Sequence, residues 1–471
     1  MLTLRRRSTV VKARSALDRA RTVIAAAASK VEVEGRLLRF WPLFLEEQQN
    51  ELYPQEIDTC ATSIGIIALH SLAGRTRSHN DDVLLTDTVE TILHLRNRDG
   101  SWPSIYSVGS KISPRMEGVI NDTIFALDAL LHTAFPTACP QVKTKLDRTA
   151  RVELVVESLR WLARNRAGEG WGYISPEFFQ NRGGLQPATL PTANAIALFA
   201  KALKVLRPQG LEKESLEEIA GVLGEALRWL RTSSPNGGHG KVRGGAATLI
   251  HTTVALRAYL LNLDDDAVAD CALESLRWLM RSRQLRNFDM IRLEEFFDEY
   301  DQLVDISEHT RPLRRPIRHE TFLDGIILEA LIQTEKEGLA SRLGPVEKIR
   351  FYRAIRRALD AVLDRQEEVG SLAGAFRSRR TPPAETHPIY ATYYSSAGIA
   401  AVLENKGILK KAWPSLGRLL VYGAAIVGAV SVVPVFIRYA ADLSWGKAAA
   451  GLGAELALIA VGALYKRVKR P

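Results

Sequence analysis

The chain has 471 residues, 46% hydrophobic and 25% charged, with a formal charge of +10. That is the composition of a globular protein with room for more than one domain, which excludes fibrous and disordered classes. Lys and Arg are spread along helical patterns, as solvated faces are, which argues against a nucleic-acid partner; Cys60, Cys139 and Cys271 are odd in number and far apart, which argues against a disulfide framework and for a reducing compartment.

Residues 1–54 begin MLTLRRRSTVVKARSALDRA, basic and without a continuous apolar core, so they do not form a secretory signal. Organellar transit peptides share an Arg-rich, acid-poor pattern; Asp18 and the smooth run into helical spacing favour a surface helix instead.

Residues 55–405 repeat at a long interval. One helix type recurs as SLRWLARN (158–165), ALRWLRTS (226–233) and SLRWLMRS (275–282), with a looser copy, TILHLRNR (91–98). Leu and Trp occupy one face and Arg the other, as suits an outer layer, and Trp161, Trp229 and Trp278 are read as packing between layers. Glycine-bearing turns follow: DGSW at Asp99–Trp102, GEGWGY at Gly168–Tyr173, NGGHG at Asn236–Gly240 and a fainter GSLAGAF at Gly370–Phe376.

A second helix type alternates with the first and is apolar nearly all round, as a buried helix should be. Its members start at Thr62, Thr123, Thr192, Thr252, Thr321 and Thr392, each threonine an N-cap or first-turn residue. Three residues on stand Gly65, Ala126, Ala195, Ala255 and Ser395, small enough for close helix approach, with Asp324 the exception. Six inner helices alternating with outer ones predict an all-α fold, an α/α toroid of about six helical hairpins, with no strand-like run. The insertion from Arg281 to Arg318 predicts a lid or surface helix, and LDDDA at Leu263–Ala267 reads as capping.

Residues 406–471 differ. LLVYGAAIVGAVSVVPVFI carries no charge over about the length a bilayer needs, and AAAGLGAELALIAVGALY follows with only Glu455 inside it. Basic residues flank the outer ends, which predicts a C-terminal transmembrane hairpin of two helices with the toroid in the cytoplasm; two buried soluble helices are the other reading. Small residues such as Ala424 and Gly428 suit a homo-oligomer contact through that hairpin.

Arg96–Trp102 and Gly168–Tyr173 resemble the glutamine-rich Q-x-x-x-D-G-S-W turn of the prenyltransferase and squalene-cyclase repeat family, without its glutamine. The resemblance covers residues 55–405 and implies the toroid. Terpenoid cyclases of that family begin an inner helix with Asp-x-Asp-Asp-Thr, whose middle aspartate protonates an alkene or epoxide. On this chain the motif falls on Val119 to Thr123, so Asn121 stands for the acid and only Asp122-Thr123 remains. A carboxamide cannot serve as that acid. His251, His319 and Glu320 occupy the same register in later repeats, as candidates for the cavity mouth or as helix-end hydrogen bonders.

Protein prenyltransferases, on the same ring, hold zinc with Asp-x-Cys and a histidine. Asp58 and Cys60 have that form, and ring closure suggests His387 as a third ligand; helix-end polar residues are the alternative. Aromatics on inner helices, Phe125, Phe199, Tyr259, Phe322, Tyr390, Tyr393 and Tyr394, are candidates for the wall of a cavity that takes a polyisoprenoid or related membrane lipid. Two functions follow: a membrane-tethered cyclase-like or prenyltransferase-like protein, or a non-catalytic interaction module whose hairpin oligomerises or perturbs the membrane.

Overall fold

The computed structural model describes residues 2–33, 35–45, 56–73, 78–107, 118–133, 135, 142, 145–172, 186–234, 236–282, 285, 323–377 and 387–412. Residues 10–408 pack as one body, and residues 1–9 with 409–471 form a second unit. The tail hairpin and the 281–318 insertion fall almost wholly outside the described residues, as do His319, Glu320, Thr321 and Phe322. Among the described residues no helix is long and apolar enough to cross a membrane.

The inner layer consists of α2 (Thr59–Ala73), α4 (Ile120–Thr133), α6 (Thr189–Leu206), α8 (Leu249–Leu260), α10 (Leu323–Lys336) and α12 (Ile389–Glu404). Each packs on the next, and α12 packs back on α2, so the ring closes. The outer layer holds α3 (His79–Leu95), α5 (Arg148–Arg164), α7 (Lys213–Thr232), α9 (Asp266–Arg281) and α11 (Pro345–Leu363), each against the inner helix before it. The α/α toroid is therefore present, built from the apolar-all-round and amphipathic helices that the sequence alternates.

The N-terminal helix α1 (Leu2–Ala26) supplies the sixth outer member. Its small and apolar residues Ala13, Ala16, Leu17, Ala20, Val23 and Ile24, spaced three and four apart, are all buried. Arg21 pairs with Asp81 at the start of α3, while Arg19 donates to the side-chain oxygen of Gln366, just past α11, at 2.6 Å. Gln366 Nε2 in turn donates to the Ala16 carbonyl at 2.7 Å. The boundary expected at residues 54 and 55 does not separate packing bodies: α1 spans the seam of the ring.

A shared latch fastens each described turn to its inner helix. The backbone N–H of Trp41, Trp102, Trp171, His239 and Phe376 donates to Oγ1 of Thr62, Thr123, Thr192, Thr252 and Thr392 at 3.4, 3.0, 2.9, 2.9 and 3.1 Å. Each threonine is the fourth residue of its helix, not the N-cap. The indoles of Trp41, Trp102 and Trp171 reach back to carbonyls near the ends of α1, α3 and α5, at Ile24, Ile92 and Leu162. Trp41 thus shows that α1 is in repeat register.

The expectation of no strands needs correction. A hairpin, β1 (Ser29–Val33) with β2 (Arg36–Phe40), links α1 to Trp41, with Gly35 at φ +74° as such turns require. β3 (Glu56–Asp58) pairs with β4 (Ile105–Ser107) in an antiparallel ladder. Three residues each, they are too short to show a period-2 pattern, yet they tie the start of α2 to the segment leading to α4.

Candidate functional site

Two groups of polar side chains lie on the inner helices. The first is at their N-terminal end. Asp58 leaves β3 and turns into α2, and its Oδ1 accepts from the Ala61 N–H at 2.7 Å. Thr59 N–H donates to the Ser104 carbonyl at 3.0 Å, which holds β4 and the following chain beside it. Asp122, three residues into α4, is 5% exposed, and its Oδ1 has no hydrogen-bond partner among the described residues. The Cys60 amide donates toward the carboxyls of both Asp58 and Asp122.

The electrostatics follow from that crowding. Burial pushes Asp58 up to about 6 against the pull of the Ala61 and Cys60 amides. Burial first, then the Asp58 charge, drives Asp122 well above the ordinary carboxylate range. The Cys60 thiol is raised by burial and then by Asp122 and Asp58, which makes it a poor thiolate by itself. Asp58, at about 6, is mostly ionised at neutral pH, and burial together with the Asp58 charge favours the protonated form of Asp122, so the two carboxyls sit in unlike environments.

The second group is deeper. Partly open residues on α4 fall at Asn121, Phe125, Asp128 and His132, on α6 at Leu190, Asn194, Ala197 and Lys201, and on α12 at Tyr390, Tyr393 and Ala397. Spacings of three and four place each set on one stripe, the one turned toward the middle of the ring. Lys201 Nζ lies 2.8 Å from Asp128 Oδ1, and Arg257 on α8 lies 3.1 Å from Glu329 on α10. His132 Nε2 is 3.6 Å from Asp128 Oδ1, and the Arg257 guanidinium sits 5.5 Å over the Tyr394 ring. Burial pushes Asp128 up, but Lys201 and then His132 outweigh it and hold the carboxyl below its usual range. Burial keeps His132 low against the opposing Asp128 charge, so it is neutral at physiological pH. This belt is what sequence reasoning missed. The available signal was a charged residue flanked by apolar ones in the middle of four inner helices: Asp128 in LDALL, Lys201 in FAKAL, Arg257 in ALRAY and Glu329 in LEALI.

The other candidates sort by their contacts. Asn121 does lie beside Asp122, with its Oδ1 buried and without a hydrogen-bond partner among the described residues. His251 is 1% exposed and bonds Thr248, the N-cap of α8, at 2.7 Å, away from the carboxyl pair. His387 Nε2 is 3.2 Å from Glu367 Oε1, beside the last turn. Among the described residues no group of His, Cys, Asp and Glu has the arrangement of a metal site. Phe125, Tyr390 and Tyr393 lie on the ring-facing stripes and Tyr394 beneath Arg257, but Phe199 stacks on Trp171 at 5.6 Å and Tyr259 on His239 at 5.8 Å, between layers. The DGSW turn is structural. Asp99 Oδ1 accepts from Ser101 N and Oγ at 3.0 and 2.6 Å, and Oδ2 accepts from the Trp161 indole at 3.1 Å.

No protein-family model and no curated protein matches the sequence. Two solved structures, both α/α toroids, resemble it. A cellobiose 2-epimerase from Spirochaeta thermophila is 14% identical with a TM-score of 0.40, over 58% of this chain and 73% of that one. A type II terpene cyclase from Scytonema, in complex with merosterolic acid A, is 12% identical with a TM-score of 0.43, over 86% and 99%. At these scores neither carries an argument about chemistry.

Proposed function

We propose that the protein is a toroid enzyme that moves a proton on a ligand held inside its ring, with Asp122 as general acid and Asp58 as general base. The observation that carries this reading is the pair itself: two neighbouring carboxyls whose environments favour the protonated form at Asp122 and leave Asp58 mostly ionised at neutral pH, with one oxygen of Asp122 lacking a partner among the described residues. A carboxyl held up by burial is a weak acid, and Asn121 replaces the stronger one, so the supported chemistry is proton transfer at an oxygen function or at a carbon beside a carbonyl. Protonation of an isolated alkene, the reaction that the cyclase resemblance implies, lacks its acid here.

Partly open Phe125, Tyr390 and Tyr393 on the ring-facing stripes support an isoprenoid or related lipid as the ligand, and the tail hairpin would be the membrane anchor. That membrane step, like the hairpin homo-oligomer, rests on the two uncharged runs of the sequence alone. A second reading, a binding and interaction module without turnover, is favoured by Asn121 at the acid position.

The test is turnover in heavy water. Purified protein incubated with a cell extract converts one compound to a product carrying deuterium, and Asp122→Asn abolishes the label. A wild-type protein that alters no compound relative to Asp122→Asn would leave only the binding module.

A further inference from the structure

The deeper belt poses a cost that the carboxyl pair does not explain. Asp128, Lys201, Arg257 and Glu329 come from four successive inner helices, and their side chains keep 16, 32, 23 and 28% of their surface open. These helices are otherwise buried on nearly every side. Ion pairs inside a protein are commonly no more stable than apolar residues of the same size, because removing both charges from water costs about what their attraction returns. Stability alone therefore gives no reason for four charges here.

The charges sum to zero: two cations and two carboxylates. An incoming anion has to compete with Asp128 and Glu329 for the same cations, and a cation has to compete with Lys201 and Arg257. A hydrocarbon offers the belt no partner at all. A neutral group with adjacent hydroxyls does better, because each hydroxyl donates to a carboxylate and accepts from an ammonium or guanidinium, and the ion pairs survive. Phe125 lies one turn above Asp128 on the same stripe and supplies an apolar face for the carbon side of such a ring.

We infer that the belt is a binding site for a polyhydroxylated group, a sugar or a polyol, seated below the carboxyl pair. This names the ligand's chemistry within the enzyme reading above and rests on it. Asp122 and Asp128 are six residues apart on α4, so the pair and the belt are separated by about 9 Å along the helix. One end of a short ligand then meets the belt while its other end meets Asp122. The polyhydroxylated group has two possible sources, a free saccharide or the head of a glycolipid.

Calorimetric titration of the full chain separates these. The probes are neutral mono- and disaccharides, an alkyl glucoside, farnesol and inorganic phosphate. The expected result is binding of the alkyl glucoside well above that of farnesol, with no heat from phosphate. Equal affinity for free sugars would identify a soluble saccharide, and binding of the glucoside alone a glycolipid head. The double variant Arg257→Met/Glu329→Met removes the pair together; it is expected to fold with an unchanged or higher melting temperature and to bind the glucoside at least tenfold more weakly. Farnesol binding as tightly as the glucoside, or glucoside binding undiminished in the folded double variant, overturns the inference. Absence of any sugar binding overturns it too. Sugar bound but never turned over would sink the acid–base reading and leave the belt; farnesol turned over without sugar binding would do the reverse.

Discussion

At Asp58 and Asp122 the protein accepts a local penalty. A carboxyl whose folded-state pKa lies above its unfolded value stabilises the fold at low pH and loses that contribution as pH rises through the folded value. For Asp58 the loss runs from about 3.8 to about 6, so the site is least favourable at neutral pH and above. Asp58→Asn removes the charge and keeps an oxygen for the Ala61 amide. It should raise stability at mildly alkaline pH by on the order of 2 kcal/mol, read as a higher midpoint in urea, with little change near the acid limit. A lower alkaline midpoint would mean that the carboxyl is not strained.

His239 is the opposite case. It stands where other repeats have Trp or Phe, 2% exposed, with burial and then His251 pulling its pKa down to about 3. A depressed histidine contributes fully above about 6.5 and costs roughly 1.4 kcal/mol per pH unit as pH falls below that value. His239→Phe, the residue type of the sixth turn, should leave the neutral fold intact and flatten the acid limb of a stability–pH curve. An unchanged limb would place the acid sensitivity elsewhere. Asp324, the misfit in the small-residue register, also has a residue-level answer: it pairs with Arg365, and both are nearly inaccessible. Gly65 is small because a Cβ there would meet the Trp41 ring at 2.3 Å.

At the element scale the threonine that opens each inner helix was visible in the sequence, and its role was not. The fourth-residue hydroxyl accepts from a backbone N–H thirteen or more residues earlier in the chain, a contact that no local period encodes. Thr192→Val leaves the Trp171 amide buried without an acceptor and should cost about 1–3 kcal/mol, whereas Thr192→Ser should cost well under half of that. Equal losses for the two would point to methyl packing. The turn glycines are equally specific. Gly237 has φ +76°, and a Cβ there would meet the Glu274 backbone of the next outer helix at 2.6 Å. The glycine-rich turns were legible as turns; that they seat one repeat against the next was not, because it depends on a helix some forty residues downstream.

Across the whole molecule, the alternation of helix types carried the toroid, since buried and amphipathic helices are distinguished by composition alone. The helix that completes the outer ring was not legible. Residues 1–54 read as a basic helical segment outside the repeats, and their match to the other repeats is a single tryptophan, Trp41, separated from its outer helix by a hairpin. Gly374 seals that seam, with a Cβ there meeting the Arg19 carbonyl at 2.3 Å. Gly374→Val should therefore speed amide exchange in α1, α2 and α12 before α6 and α8; uniform acceleration would mean that α1 does not close the ring. The interior expected to take a lipid carries a charged belt, because isolated charges inside apolar helices resemble ordinary surface residues until the helices are curled into a circle.

The central claim is that two neighbouring carboxyls sit in unlike environments, with the protonated form favoured at Asp122. Infrared spectroscopy in the carbonyl region, on wild type and Asp122→Asn at neutral pH, tests it most directly. A protonated carboxyl band present in the wild type and missing from the variant is the expected result. A wild-type spectrum with every carboxyl ionised at neutral pH would contradict the account.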